Sequence, residues 1–163
     1  MLYKLCLFSY CLLVFNCSLS DEQLNKDENQ EHTVNQDSSV VVEKVAVSGN
    51  ENAYLFNVTL KSPDTGCDQY ADWWEIIDVS GNLIYRRNLS HSHVNEQPFI
   101  RSGSPVQILA SDSVIIRGHM NNFGYGLSAM SGSVASGFET VILDDQFAIS
   151  LDTVSPLPPK CAF

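Results

Sequence analysis

The sequence predicts an all-β protein, and three observations predict it. From Ser39 onward apolar residues recur with a period of two. Turn-forming clusters break these runs at short intervals. After the first fifteen residues no segment of useful length carries the 3.6-residue period of a helix. Several short strands at regular spacing read as a sandwich or barrel; an immunoglobulin-like β-sandwich is the arrangement expected, with a jelly-roll barrel as the alternative.

The elements are predicted in chain order. Val41, Val45 and Val47 open a first strand. Residues 54–60 (YLFNVTL) alternate apolar and polar and are rich in β-formers. Pro63, Asp64, Thr65 and Gly66 form a turn cluster. Residues 73–79 make a third strand, Ser80, Gly81 and Asn82 a tight turn, and residues 83–87 its hairpin partner. Later strands are expected at 106–109, 114–119, 131–135, 139–143 and 147–151. Adjacent side chains of a strand point to opposite faces, so one of Trp73 and Trp74 faces the core. The other marks a binding surface or lies under a loop.

Size and charge narrow the classes. A chain of 163 residues suits about one domain. A formal charge of −10 argues against nucleic acid, which needs clustered Lys and Arg, and against an anionic membrane surface. Residues 1–17 read as an export signal, possessing Lys4 and an apolar run of 11 residues at 5–15, too short to span a bilayer. Val14, Phe15, Asn16 and Cys17 resemble the lipobox of bacterial lipoproteins, in which the cysteine is acylated. Phe15 and Asn16 are larger than that motif favours, and cleavage near Ser18 or Ser20 is the alternative. Residues 18–38 carry six acids and one Lys with few apolar side chains, the composition of a disordered tether. Residues 39–163 are then the folded domain.

With Cys6 and Cys11 in the signal and Cys17 as lipid site, Cys67 and Cys161 remain as an even pair in an oxidising compartment. A disulfide between them is expected; two free thiols are the alternative.

The chemically densest stretch is 90–99, SHSHVNEQPF. In an extended chain His91 and His93 project to one face about 7 Å apart and can present two imidazoles to one ion. Glu96 is near enough to add an oxygen, and His119 ends another expected strand. His91, His93, Glu96 and His119 are therefore the candidate ligands of Zn or Cu. The run resembles the first metal motif of the cupin family, a His-x-His pair, then a glutamate, then a glycine after six intervening residues: His91, His93, Glu96 and Gly103. Two residues separate His93 from Glu96 where cupins have three or four, and Tyr85 stands where the preceding glycine belongs. The resemblance implies a cupin-like barrel and a metal.

Asp64, Asp68 and Asp72 surround Cys67 and are a Ca²⁺ candidate without EF-hand spacing; a solvated loop is the plainer reading. Phe123 and Tyr125, in a loop with Gly124 and Gly126, are a candidate contact platform or a simple turn. No Gly-x-Ser-x-Gly elbow, P-loop or dinucleotide fingerprint is present. Asn57 and Asn88 begin glycosylation sequons, meaningful only in a eukaryotic secretory pathway.

Together the segment 70–75 (YADWWE), His91 and His93, residues 96–99 (EQPF) and Arg101 to Gly103 resemble an uncharacterised family of small exported bacterial proteins over 58–137. That resemblance implies no activity. The function expected is non-enzymatic: an exported or envelope-anchored module that recognises a protein or cell-surface partner. A transition-metal-binding protein is the alternative, and a metalloenzyme the third reading.

Overall fold

Alternating burial organises the chain into paired strands. The computed structural model describes residues 39–162, so the expected export signal, Cys17 and the acidic stretch 18–38 lie outside the described residues. The strands are β1 (Val41–Ser48), β2 (Tyr54–Lys61), β3 (Ala71–Asp78), β4 (Leu83–Asn88), β5 (Phe99–Val106), β6 (Val114–Met120), β7 (Gly124–Tyr125), β8 (Ser128–Ser133) and β9 (Gly137–Ile142). They form two antiparallel sheets, one ordered β1-β2-β5 and the other β4-β3-β6-β8-β9 with β7 added beside β6. The described residues contain no α-helix. The protein is an all-β sandwich.

The core lies between the sheets. On β2 the side chains of Tyr54, Phe56, Val58 and Leu60 are buried while the alternate positions are half-exposed. They meet Trp74 and Ile76 of β3 and Val114, Ile116 and Met120 of β6. Each fully buried Phe, Leu or Ile stabilises by about 1.5–3 kcal/mol relative to exposure. Gly103 of β5 lies under Trp74 and Tyr85, where an added Cβ would come within 2.5 Å of the tyrosine ring.

β3 and β6 are buried on both faces. Their outer face carries a second apolar cluster of Ile77, Ile115, Ala129 and Leu151, with Phe147 and Leu143 packed against it. The C-terminal segment supplies that cover, and here the fold departs from expectation. Residues 147–151 form no strand; a 3-10 helix spans Ile149–Thr153, laying Leu151 onto the sheet. The strand expected at 106–109 is instead β5, ending at Val106. Its pattern is obscured by Gly103, Ser104 and Pro105, and a proline is tolerated because β5 is an edge strand.

Candidate functional site

Two polar centres lie among the described residues. The first is on the outer face of the larger sheet. Trp73 and Trp74 alternate, so Trp74 enters the core and Trp73 points outward, followed on its face by Glu75. Strand register places Arg86 of β4 and Arg117 of β6 on either side of Glu75. Arg86 grips one carboxylate oxygen through Nη2 and Nε at 2.6 and 2.8 Å, and Arg117 takes the other at 2.9 Å. All three side chains are buried.

The remaining guanidinium donors go to the C-terminal segment. Arg86 donates to the carbonyls of Leu151, Val154 and Pro156, and Arg117 to those of Phe147 and Ala148. Arg86 also lies 4.5 Å from the centre of the Trp73 ring, and Arg117 3.4 Å from that of Tyr125. Burial, and then the Glu75 charge, push the Tyr125 hydroxyl far above its ordinary pKa. Trp73 is thus covered rather than presented. Tyr125 likewise belongs to this fastening, and only Phe123 of the expected aromatic platform is exposed.

The second centre is the loop end of the sandwich. Asp64 is its hub. Its Oδ1 accepts from Ser62 Oγ at 2.6 Å and Ala71 N at 3.0 Å; its Oδ2 accepts from His93 N at 2.7 Å and Ser92 Oγ at 3.4 Å. Asn121 joins a third loop, donating to the Cys67 carbonyl and accepting from Tyr70 N. Cys67 and Cys161 form a disulfide with their Cα atoms 5.6 Å apart, and Ala162 N donates to Ser90 O.

His93 is 2% exposed and stacked on Phe99, with ring centres 3.9 Å apart and planes 8° apart. Neither of its ring nitrogens has a hydrogen-bond partner among the described residues; Nδ1 stands 3.7 Å from Asp64 Oδ2, too far for one. Burial, then the Arg101 and His91 charges, lower its pKa to about 4. His91 lies ring to ring with His93 at 4.6 Å. A cleft of about 60 Å³ opens beside the pair, lined by Arg87, Asn88, Leu89, Ser90, His91, His93 and Arg101.

The four expected metal ligands are only partly brought together. His91 and His93 are neighbours. Glu96 is at the surface and takes Arg101 at 2.9 Å, a hydrogen bond that holds its carboxyl below the ordinary range. His119 is held by Asp72 at 2.7 Å and stacked on Trp73 at 3.5 Å, on the outer face of the sheet. No grouping of three or more His, Cys, Asp or Glu that could hold a metal ion exists among the described residues. That includes the trio Asp64, Asp68 and Asp72, since Asp64 binds its loop, Asp72 binds His119 and Asp68 is exposed. Arg87 and Asn88 were not legible as site residues; two arginines flanking a histidine pair were the available signal. Asp64 was legible as a Ca²⁺ candidate but not as the hub that ties these loops.

No family model matches the chain, and no solved structure matches it. Over 111 residues, 68% of the chain, it is 35% identical to a protein of Halomicrobium mukohataei named "Putative lipoprotein". Those residues make up 55% of that protein, so the chain spans about half the length of this relative. No helix among the described residues is long and apolar enough to cross a membrane.

Proposed function

We propose that the chain is an exported, lipid-anchored recognition module that binds a partner through the loop end of its sandwich and performs no catalysis. The lipoprotein name of the relative and the lipobox-like Cys17 support the anchor. The observation that carries the recognition reading is the stitching of the loop end. Loops at 62–70, 89–98 and 121–123 are tied by the disulfide, Asp64 and Asn121, while Val94 and Phe123 remain 48% and 57% exposed. Loops ordered before binding lose less entropy on binding, which is how a rigid scaffold gains affinity.

Photo-crosslinking on intact cells tests this. A crosslinking residue at Phe123 or Val94 is expected to trap one discrete adduct. The same residue at Val79, in the turn at the other end of β3, is expected to trap none. Equal labelling at all three positions, or none, overturns the reading. For the anchor, Cys17→Ala is expected to release the protein from the membrane fraction; unchanged fractionation rejects acylation.

Metal binding at His91 and His93 is the second reading, favoured by their ring-to-ring contact. Loading with Zn²⁺ or Cu²⁺ and elemental analysis decides it. Stoichiometric metal lost in a His91→Ala/His93→Ala variant supports it, and metal unaffected by that variant rejects it.

A further inference from the structure

The crossover from β4 to β5 carries the chain from the edge of one sheet to the edge of the other. Arg87 Nε bridges the two edges by donating to Ser102 O at 3.0 Å. The small cleft described above opens within this crossover. We propose that this cleft binds a small oxyanion bearing a hydroxyl group, such as the hydrogenphosphate or hydroxy-carboxylate moiety of a ligand. The proposal rests on the recognition reading, to which it adds a ligand chemistry.

Charge selects the sign of the ligand. In a chain of net charge −10 with nine Lys and Arg, two arginines and two histidines meet at this one cleft. Arg87 hydrogen-bonds only to backbone carbonyls, those of Ser102 and Asn88, and forms no ion pair among the described residues. Arg101 pairs with Glu96, an exposed pair weakened by solvent, and lies 5.2 Å from the centre of the Phe99 ring. A guanidinium beside a concave wall is suited to carboxylate and phosphate oxygens.

Unpaired buried atoms select the rest. His93, its side chain 1% exposed, has both ring nitrogens unpaired among the described residues, and it lines the cleft. Asn88, also on the wall, gives its amide N–H to Leu157 O at 2.8 Å while its Oδ1 is buried without a donor. A buried polar group left unpaired costs about 1–3 kcal/mol, so a ligand that reached these atoms from the cleft would relieve that cost. The complementary ligand accepts from the arginines and an imidazole and donates one O–H to Asn88. Hydrogenphosphate and hydroxy-acids do both; sulfate, which carries no proton near neutral pH, does not.

Size agrees with this chemistry. The cleft of about 60 Å³ exceeds the roughly 10–15 Å³ that one water needs and is far below the roughly 300–1,000 Å³ of a drug-sized pocket. It admits one phosphate or carboxylate group, with the remainder of a larger ligand outside.

The test titrates the full oxidised chain in mild detergent, near neutral pH and at constant ionic strength, with phosphate, sulfate and glucuronate. Imidazole proton resonances report binding. Saturable shifts of His91 and His93, without His119, are expected for phosphate or glucuronate or both, with sulfate about tenfold weaker or silent. Phosphate alone assigns phosphoryl ligands, and glucuronate alone assigns acidic sugars. Arg87→Gln, at an exposed position, is expected to weaken binding about tenfold. Arg101→Gln is the second variant should the first fold poorly. No saturable shift up to about 20 mM, equal sulfate binding, or full affinity in both variants overturns the proposal. No partner protein is present in this titration, so its failure leaves the crosslinking result standing, and the reverse.

Discussion

Stacked on Phe99 and almost wholly buried, His93 is neutral in the folded state down to a pH near its lowered pKa of about 4. In the unfolded chain an ordinary histidine protonates near 6.5. Between those values the unfolded state takes up a proton that the folded state refuses. Stability is therefore undiminished above about pH 6.5 and falls as pH drops toward 4, by up to about 1.4 kcal/mol per pH unit. Urea midpoints at neutral and mildly acid pH are expected to differ less in His93→Phe, which retains the stacking surface. An unchanged pH slope in that variant would reject the assignment. Gly103 raises a different residue-scale issue. A methyl group there would meet the Tyr85 ring at 2.5 Å and the Trp74 ring at 2.7 Å. Gly103→Ala is expected to destabilise by about 1–3 kcal/mol, read from the same urea curves. The motif resemblance gave this glycine a place in a metal site, whereas its surroundings require it for close packing. A loss below about 0.5 kcal/mol would show that the rings yield easily.

Among the elements, the C-terminal segment depends most on a buried charge. Five of its backbone carbonyls, between Phe147 and Pro156, accept from Arg86 and Arg117, and Glu75 holds both guanidiniums in place. Glu75→Gln leaves two buried cations without their counter-ion, at an expected cost of about 3–5 kcal/mol. Hydrogen exchange is expected to quicken first at Leu151 and Val154, ahead of β3; uniform quickening, or none, would contradict this role of Glu75. β2 was legible because period-two alternation writes one buried face directly into the sequence. β1, β3, β4 and β6 were legible as short runs rich in β-formers between turn signals, β3 and β6 being buried on both faces. The segment 147–151 was not, since an apolar run of that length fits a strand or a short helical turn equally well; what decides is the pair of arginines beneath it. β5 was hidden by its glycine and proline. Of the site, the histidine pair was legible as spacing. Its separation from His119 was not, because spacing along a chain does not report which sheet face a residue occupies.

At the scale of the whole molecule, one covalent bond joins the loop end to the chain terminus. Cys67 and Cys161 are 94 residues apart in sequence, so the disulfide closes β3 through β9 and the C-terminal segment into a single loop, with β1 and β2 outside it. A loop of that length removes much of the freedom of the unfolded chain, worth about 2–5 kcal/mol in proteins of this kind. Beside the disulfide, the backbone N–H of Ala162 donates to Ser90 O. The bond therefore acts in both states: it restricts the unfolded ensemble and holds the tail beside the loop that carries His91 and His93. The Cys67→Ser/Cys161→Ser variant is expected to retain the sandwich, because its core of Trp74, Phe56 and Ile116 makes no use of the tail. Its urea midpoint is expected to fall by the equivalent of about 2–5 kcal/mol. Reducing agent is expected to lower the parent protein to the variant's midpoint and to leave the variant unchanged. A parent insensitive to a reductant that demonstrably frees both thiols would mean the bond adds nothing to stability, and that Asp64 and Asn121 order the loop end by themselves.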